Sequence, residues 1–248
     1  LQPWTTPPFE ANEDRLSAYP PSKIPPSAVQ RKLTSLTERY VEVFGRRPKA
    51  HRAEAYGLCS ATLQALEALG YYVDSSVTPG VNGRVDGSVD WRPSPTGPYH
   101  PDRQRPANRG SSPILQVPIT VNFGRHLPFV FRKRILNAPR WLVKEGRINR
   151  LFNHYWLDPT KTSAEGMRRL ADAEIIRGAA HLNLAIRSDA PHERCSAVSN
   201  TAAEVARTFE SLDTFFRYSI DRLRVVPSGL SDFAKEFVEP GLSHLMTD

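Results

Sequence analysis

Segments with helical periodicity alternate along this 248-residue chain with short apolar segments typical of β-strands. Apolar residues recur every three or four positions over residues 27–44, and Gly45 predicts the end of that helix. A second helix is predicted over 60–69, and strands are predicted over 71–76 and 114–121. The alternation indicates a globular α/β protein.

The C-terminal half continues the same alternation. Thr162 with Glu165 and Thr201 with Glu204 have the spacing of capping boxes, which predicts helices that run to about residues 177 and 216. Between them, residues 181–187 alternate apolar and polar side chains as a strand does. This order predicts an α/β fold with parallel strands, and both a (β/α) barrel and a doubly wound sheet fit it. The length is enough for one large domain or two small ones.

Composition excludes several classes of protein. No apolar run approaches the ~18 residues of a membrane span, and the two cysteines, Cys59 and Cys195, build neither a disulfide scaffold nor a zinc finger. The net charge of +7 favours an anionic partner such as a polysaccharide, a phosphate or a nucleic acid.

Residues 128–157 mix basic and aromatic side chains, which predicts a basic amphipathic helix pair. An outer helix with a solvated charged face gives that pattern more often than a nucleic-acid surface does, so no nucleic-acid partner is assigned.

Polar residues follow three of the predicted strands. Arg52 comes after the short run 49–52, Asp74 with Ser75 and Ser76 ends the next strand, and Arg187 ends the strand at 181–187. Ligands of parallel α/β proteins bind at the carboxyl ends of strands. We therefore expect these side chains to gather around one sugar-sized hollow.

Six segments resemble the polysaccharide deacetylases of the NodB-homology type, and they occur in the order of that family over most of the chain. They are LQPWTTPPFE at 1–10, GRRPKAHRAEAYG at 45–57, LEALGYYVDSSVTPG at 66–80, SVDW at 88–91, ILQVPITV at 114–121 and LNLAIRSDAPHE at 182–193. The resemblance implies a single domain spanning 1–248 that lacks its first strand or strands. Its fold would be a distorted, incomplete (β/α) barrel with a divalent metal, usually zinc, bound by an aspartate and two histidines. In that family, an aspartate deprotonates the metal-bound water that attacks an acetyl group, and a late-strand histidine protonates the departing amine.

The resemblance also assigns roles to residues of this chain. Arg52 matches the arginine that orients the catalytic aspartate, and Arg187 stands at the position of the acid histidine. Asp90 and Trp91 match an exposed groove motif beside the metal. These two, together with Asp74 and Tyr56, are the expected substrate-binding residues.

The chain departs from the family at the chemical positions. The resemblance implies that the strand with the aspartate base and ligand lies before Leu1, and it places Gln2 where a histidine ligand is expected. An amide oxygen is a poor zinc ligand beside imidazole. Arg187 stays protonated at physiological pH, so it cannot deliver a proton. His51 adjoins Arg52 and is expected to point to the opposite side of its strand.

Two functions follow from these expectations. The first is metal-dependent hydrolysis of N-acetyl or O-acetyl groups on a cell-envelope polysaccharide or exopolysaccharide. The second is a catalytically inactive carbohydrate-binding protein of the same fold, in which Arg52, Trp91 and Arg187 bind an anionic sugar. The identity of the glycan, the compartment and the oligomeric state stay open.

Overall fold

A computed structural model describes residues 24–53, 56–81, 89–123, 154–195 and 201–238. Their contacts divide the chain into two compact units, one comprising residues 1–118 with 228–248 and the other residues 119–227. Ten elements are present in the described residues: α1 (Pro26–Phe44), β1 (Ala50–His51), α2 (Ser60–Ala68), β2 (Val73–Asp74), β3 (Leu115–Gln116), β4 (Val121–Phe123), β5 (His154–Trp156), α3 (Ala164–Ile176), α4 (Ala202–Asp221) and α5 (Leu230–Val238).

The first helix confirms the prediction made from its periodicity. α1 has a proline at its first position, where no backbone donor is needed, and it buries Val29 and Leu33 on its inner face. It ends at Gly45, whose positive φ of 65° lets its backbone N–H reach the carbonyl of Val41. The helix is thereby positioned against α2 in the core of the first unit.

The first unit contains a three-stranded parallel sheet in the order β1-β2-β3. β1, α2 and β2 form one crossover unit, with α2 close to its predicted position. The core of this unit includes Leu33, Leu63, Leu66 and Trp91, all of them buried. α5, which the sequence did not predict, places Ala234 against Val73, Leu115 and Val117 of the sheet region.

The second unit differs from the predicted set of parallel strands. β4 and β5 pair antiparallel, with Asn122 opposite Tyr155. Residues 154–156, expected to close a basic helix pair, are strand β5, whereas residues 124–153 lie outside the described part of the chain. The segment 181–187 is not a strand. It is an irregular segment, in which Asn183 and Ala185 form hydrogen bonds with Thr120 and Leu157, the residues next to β4 and β5.

The two helices of the second unit lie close to their predicted positions. The capping box of Thr201 and Glu204 is formed at the start of α4, which continues five residues beyond the predicted end. The N-cap of α3 is Ser163 and not Thr162, because Ser163 accepts from the backbone of Gly166 while the Thr162 hydroxyl accepts from Trp156. Met167 and Leu170 of α3 pack with Phe215 of α4.

The architecture is thus mixed α/β with a parallel sheet of three strands, and no closed barrel is formed by the residues described. That one domain spans 1–248 stays a prediction. Among the same residues, no helix combines the length and the apolar character needed to cross a bilayer.

Candidate functional site at the carboxyl ends of the parallel strands

The last residues of the three parallel strands stand side by side. His51 is paired in register with Asp74, and Asp74 is paired with Gln116. We use the name polar edge for these residues and their neighbours, which are His51, Arg52, Asp74, Ser75, Ser76 and Gln116. The polar edge lies at the carboxyl ends of the strands, where open α/β sheets bind their ligands.

Asp74 is the centre of the polar edge and is completely buried. Its Oδ1 lies 2.7 Å from Nδ1 of His51 and accepts from the Ser76 hydroxyl at 2.8 Å. Its Oδ2 accepts from the backbone N–H of Ser76 at 2.8 Å. A buried carboxylate is costly unless it is hydrogen-bonded, and these three contacts supply the compensation.

The side chain of Arg52 connects the residues that directly follow β1 and β2. Its Nε donates to the carbonyl of Ser75 at 3.1 Å, and a terminal nitrogen donates to the Ser75 hydroxyl at 2.8 Å. The backbone N–H of Ala53 donates to the Ser76 hydroxyl at 2.8 Å. The alternation expected from the sequence is therefore observed, with His51 on Asp74 and Arg52 on Ser75.

Gln116 completes the row on the other side of Asp74. Its backbone pairs antiparallel with Tyr99, while its side chain is buried. Neither amide atom of that side chain has a hydrogen-bond partner in the part of the chain that the structure describes. A buried polar group without a partner costs about 1–3 kcal/mol, so this side chain is retained at an energetic cost.

Two buried tyrosines flank the row. Burial raises the pKa of Tyr99, whose hydroxyl donates to the carbonyl of Pro106 at 2.7 Å, so this phenol stays neutral. Burial also raises the pKa of Tyr71, whose ring meets the His51 ring edge-on with centroids 6.2 Å apart. The Tyr71 hydroxyl is hydrogen-bonded to Thr37 of α1 at 2.9 Å. These contacts fix the surroundings of His51.

Trp91 and Asp90, which were expected to line an exposed groove, differ in their burial. Trp91 is 1% exposed and belongs to the core, so the expectation of an exposed tryptophan is wrong. Its indole N–H donates to the carbonyl of Tyr56 at 3.0 Å, and Tyr56 has a positive φ of 58°. Asp90 is partly exposed and binds the Arg92 guanidinium through both carboxylate oxygens.

Arg187 belongs to the second unit. Its guanidinium, 61% exposed, binds both oxygens of Asp189 at 3.0 and 2.8 Å. The hydrogen bond from Arg187 holds the pKa of Asp189 below the ordinary range of an aspartate. A paired, permanently charged guanidinium is able to bind an anion but cannot act as an acid.

The metal site implied by the resemblance was tested against the donor atoms of the structure. Gln2 lies outside the described residues, and those described contain no group of three histidine, cysteine, aspartate or glutamate side chains able to hold a metal ion. Both oxygens of Asp74 are occupied by hydrogen bonds within the protein. The polar edge therefore does not offer the ligand set of an aspartate and two histidines.

The sequence pattern selected Arg52 and Asp74 as candidate site residues but did not indicate that His51 and Gln116 lie beside Asp74. The signal was present in the dipeptides that end the three strands, Ala50–His51, Val73–Asp74 and Leu115–Gln116. In each, an apolar residue precedes a polar one, which is the order expected where a buried strand reaches a ligand-binding edge. Only the register of pairing shows that the three polar residues form one row.

Comparison of the chain with models of protein families, with curated proteins and with solved structures finds no match in any of the three.

Proposed function

We propose that this chain is a polysaccharide deacetylase-like protein that acts on an acetylated polysaccharide or oligosaccharide. The proposal is carried by one observation: residues from separate segments that resemble that family are hydrogen-bonded to each other, one pair of them at the carboxyl ends of β1 and β2. Arg52 from residues 45–57 binds Ser75 from residues 66–80, and Trp91 from residues 88–91 binds the backbone of Tyr56. The proposed fold extends the parallel sheet to a distorted, incomplete (β/α) barrel.

The proposed reaction is hydrolysis of an N-acetyl or O-acetyl group. In the family that the chain resembles, a bound zinc ion polarises the acetyl carbonyl and lowers the pKa of water. The described residues hold no ligand set for that ion. What they offer a glycan is the charge of the partly exposed Arg52, which the buried Ser75 positions at the carboxyl end of β1.

A second function is favoured by the state of Arg187. This residue stands at the position of the family's acid histidine, yet it is a guanidinium bound to Asp189 and cannot protonate a departing amine. Planar guanidinium groups bind carboxylates in a bidentate manner, which suits a sugar acid. The second candidate is therefore a carbohydrate-binding protein without hydrolytic activity.

The test combines hydrolysis with binding. The chain is incubated with N-acetylchitopentaose, with and without added zinc chloride, and acetate release is measured, while calorimetry measures binding of the same sugar. We expect binding and acetate release. Binding without acetate release supports the second candidate, and the absence of both contradicts the two functions together.

Variants connect the result to the polar edge. Arg52→Gln removes charge-assisted hydrogen bonds, and we expect the affinity to fall by about tenfold or more. The matched control is Arg103→Gln, because Arg103 is a half-exposed arginine of the same unit that binds Glu67. This control is expected to change the affinity by less than about twofold. Equal effects of the two substitutions on the affinity would show that the polar edge is not the sugar-binding site. Circular dichroism confirms that both variants are folded.

A further inference from the structure

A hydrogen bond to Asp74 holds the ring of His51 in position. Nδ1 of His51 lies 2.7 Å from a carboxylate that is itself completely buried. The Ser76 hydroxyl accepts from the backbone of Ala53, so its own hydrogen is available to Asp74, and the Ser76 backbone N–H donates to the other oxygen. Both contacts with Ser76 are donated to the carboxylate, so Asp74 acts as the acceptor for Nδ1 of His51.

An acceptor at Nδ1 decides where the ring can exchange a proton. The neutral imidazole carries its hydrogen on Nδ1, facing Asp74, and Nε2 is left as the basic atom. The His51 side chain is 8% exposed. Among the described residues, the ring forms one hydrogen bond, which is through Nδ1. Asp74 thereby sets both the tautomer and the orientation of the ring.

The ionisable groups around the ring do not compete for this role. Asp74 of β2 is the acceptor, and Tyr71 meets the ring edge-on with a pKa raised by burial. Arg52 follows in the chain and binds Ser75, and Tyr99 beyond the row stays neutral. Histidine is the side chain whose charge ordinarily changes near neutral pH, whereas arginine stays protonated.

We propose that His51 is the proton-transfer residue of the polar edge and that Asp74 is its positioning residue. This inference rests on the proposed hydrolysis. Nε2 of His51 takes a proton from the water that attacks the acetyl carbonyl, and a new C–O bond forms. The C–N bond then breaks with its electron pair passing to nitrogen, and Nε2 returns the proton to that nitrogen. The products are acetic acid and the free amine, and Asp74 stays a carboxylate throughout.

A second observation at the polar edge points to a ligand there. Gln116 is the next member of the row, and both its amide donor and its amide acceptor lack partners in the described part of the chain. An acetamido group carries one acceptor and one donor, the complement of what Gln116 presents. Proton transfer by His51 on β1 and amide recognition by Gln116 on β3 would then take place on either side of Asp74 on β2.

The test substitutes His51 by asparagine, which keeps a nitrogen donor near the position of Nδ1 but cannot carry a proton. With N-acetylchitopentaose as substrate, we expect kcat to fall by about a hundredfold or more while KM changes by less than about threefold. The pH profile of kcat/KM loses its acidic limb. The control is His100→Asn, because His100 is also partly buried and binds the carbonyl of Ser112 through Nδ1 at 3.0 Å. An H51N variant with a kcat within about threefold of the wild type would overturn the inference.

A direct measurement on the ring separates this inference from the proposed function. Long-range ¹H–¹⁵N NMR of the wild-type chain reports the tautomer of each histidine. We expect His51 to carry its hydrogen on Nδ1, facing Asp74. A hydrogen on Nε2 overturns the role of His51. A wild-type chain that releases no acetate overturns the proposed hydrolysis and the proton transfer with it, even where the ring is as described.

Discussion

Replacing Asp74 with asparagine removes the charge of the buried carboxylate while keeping its size. The two oxygens of Asp74 face three donors: Nδ1 of His51, the Ser76 hydroxyl and the Ser76 backbone N–H. In asparagine, one oxygen becomes an NH₂ donor that points at a donor already present. At least one buried donor is then left without an acceptor, whichever way the amide is turned.

The size of the effect follows from these contacts. A buried donor without a partner costs about 1–3 kcal/mol, and the remaining hydrogen bonds lose the part of their strength that came from the charge. We therefore expect Asp74→Asn to lower the free energy of unfolding by about 2–4 kcal/mol. The backbone N–H of Ser76 donates to Oδ2 of Asp74, and the substitution weakens this hydrogen bond. Amide hydrogen exchange in residues 73–77 should therefore also become faster.

Urea unfolding followed by circular dichroism measures the change, and hydrogen-exchange mass spectrometry locates it. The control is Glu42→Gln on α1, where the carboxylate is 66% exposed and pairs with an equally exposed Arg39. That substitution should change the free energy of unfolding by less than about 0.5 kcal/mol. If the Asp74 and Glu42 variants were equally stable, the carboxylate would not be an integral part of the polar edge.

Two further predictions concern the loop of the first unit and the pair at Arg187. A Cβ at Gly110 would clash with the backbone of Asp102, so Gly110→Ala should lower the free energy of unfolding by about 2 kcal/mol or more. Gly97→Ala, with nothing within 4 Å, should stay within about 1 kcal/mol of the wild type, and equal urea midpoints would contradict this reasoning. Arg187→Gln should raise the pKa of Asp189, measured by carboxyl NMR titration, because the guanidinium is the main cause of its lowering. Since the folded pKa is lowered, the pair stabilises the protein above the ordinary aspartate pKa and loses that contribution as the pH falls through the folded value. An unchanged titration in the variant would refute this cause.

The helices α1 to α4 were predictable because their signals are local, whereas α5 was not predicted. The apolar spacing of α1, the glycine after it and the capping box of α4 each act within a few residues of sequence. The β4–β5 pair was not predictable, because the strands have three residues each and 30 residues separate them. A strand of three residues shows too little alternation to reveal its period, and antiparallel pairing across such a gap leaves no local signal.

The site could be predicted only in part for a related reason. The rule that ligands bind at the carboxyl ends of parallel strands was enough to select Arg52 and Asp74 from the sequence. It could not show that His51 and Gln116 flank Asp74, because their pairing depends on a register that no single strand encodes. Trp91 was expected to be exposed beside Asp90, but burial of an aromatic ring depends on packing partners distant in sequence.

Ligand mapping by NMR tests most directly whether the polar edge is a glycan-binding site. N-acetylchitopentaose is titrated into the isotopically labelled chain, and amide and side-chain shifts are followed for the residues of the first unit. We predict the largest changes at His51, Arg52, Asp74 and Ser75, with smaller changes at surface residues such as Arg103. No shift on addition of the sugar, or shifts confined to residues outside the polar edge, would contradict the proposed site.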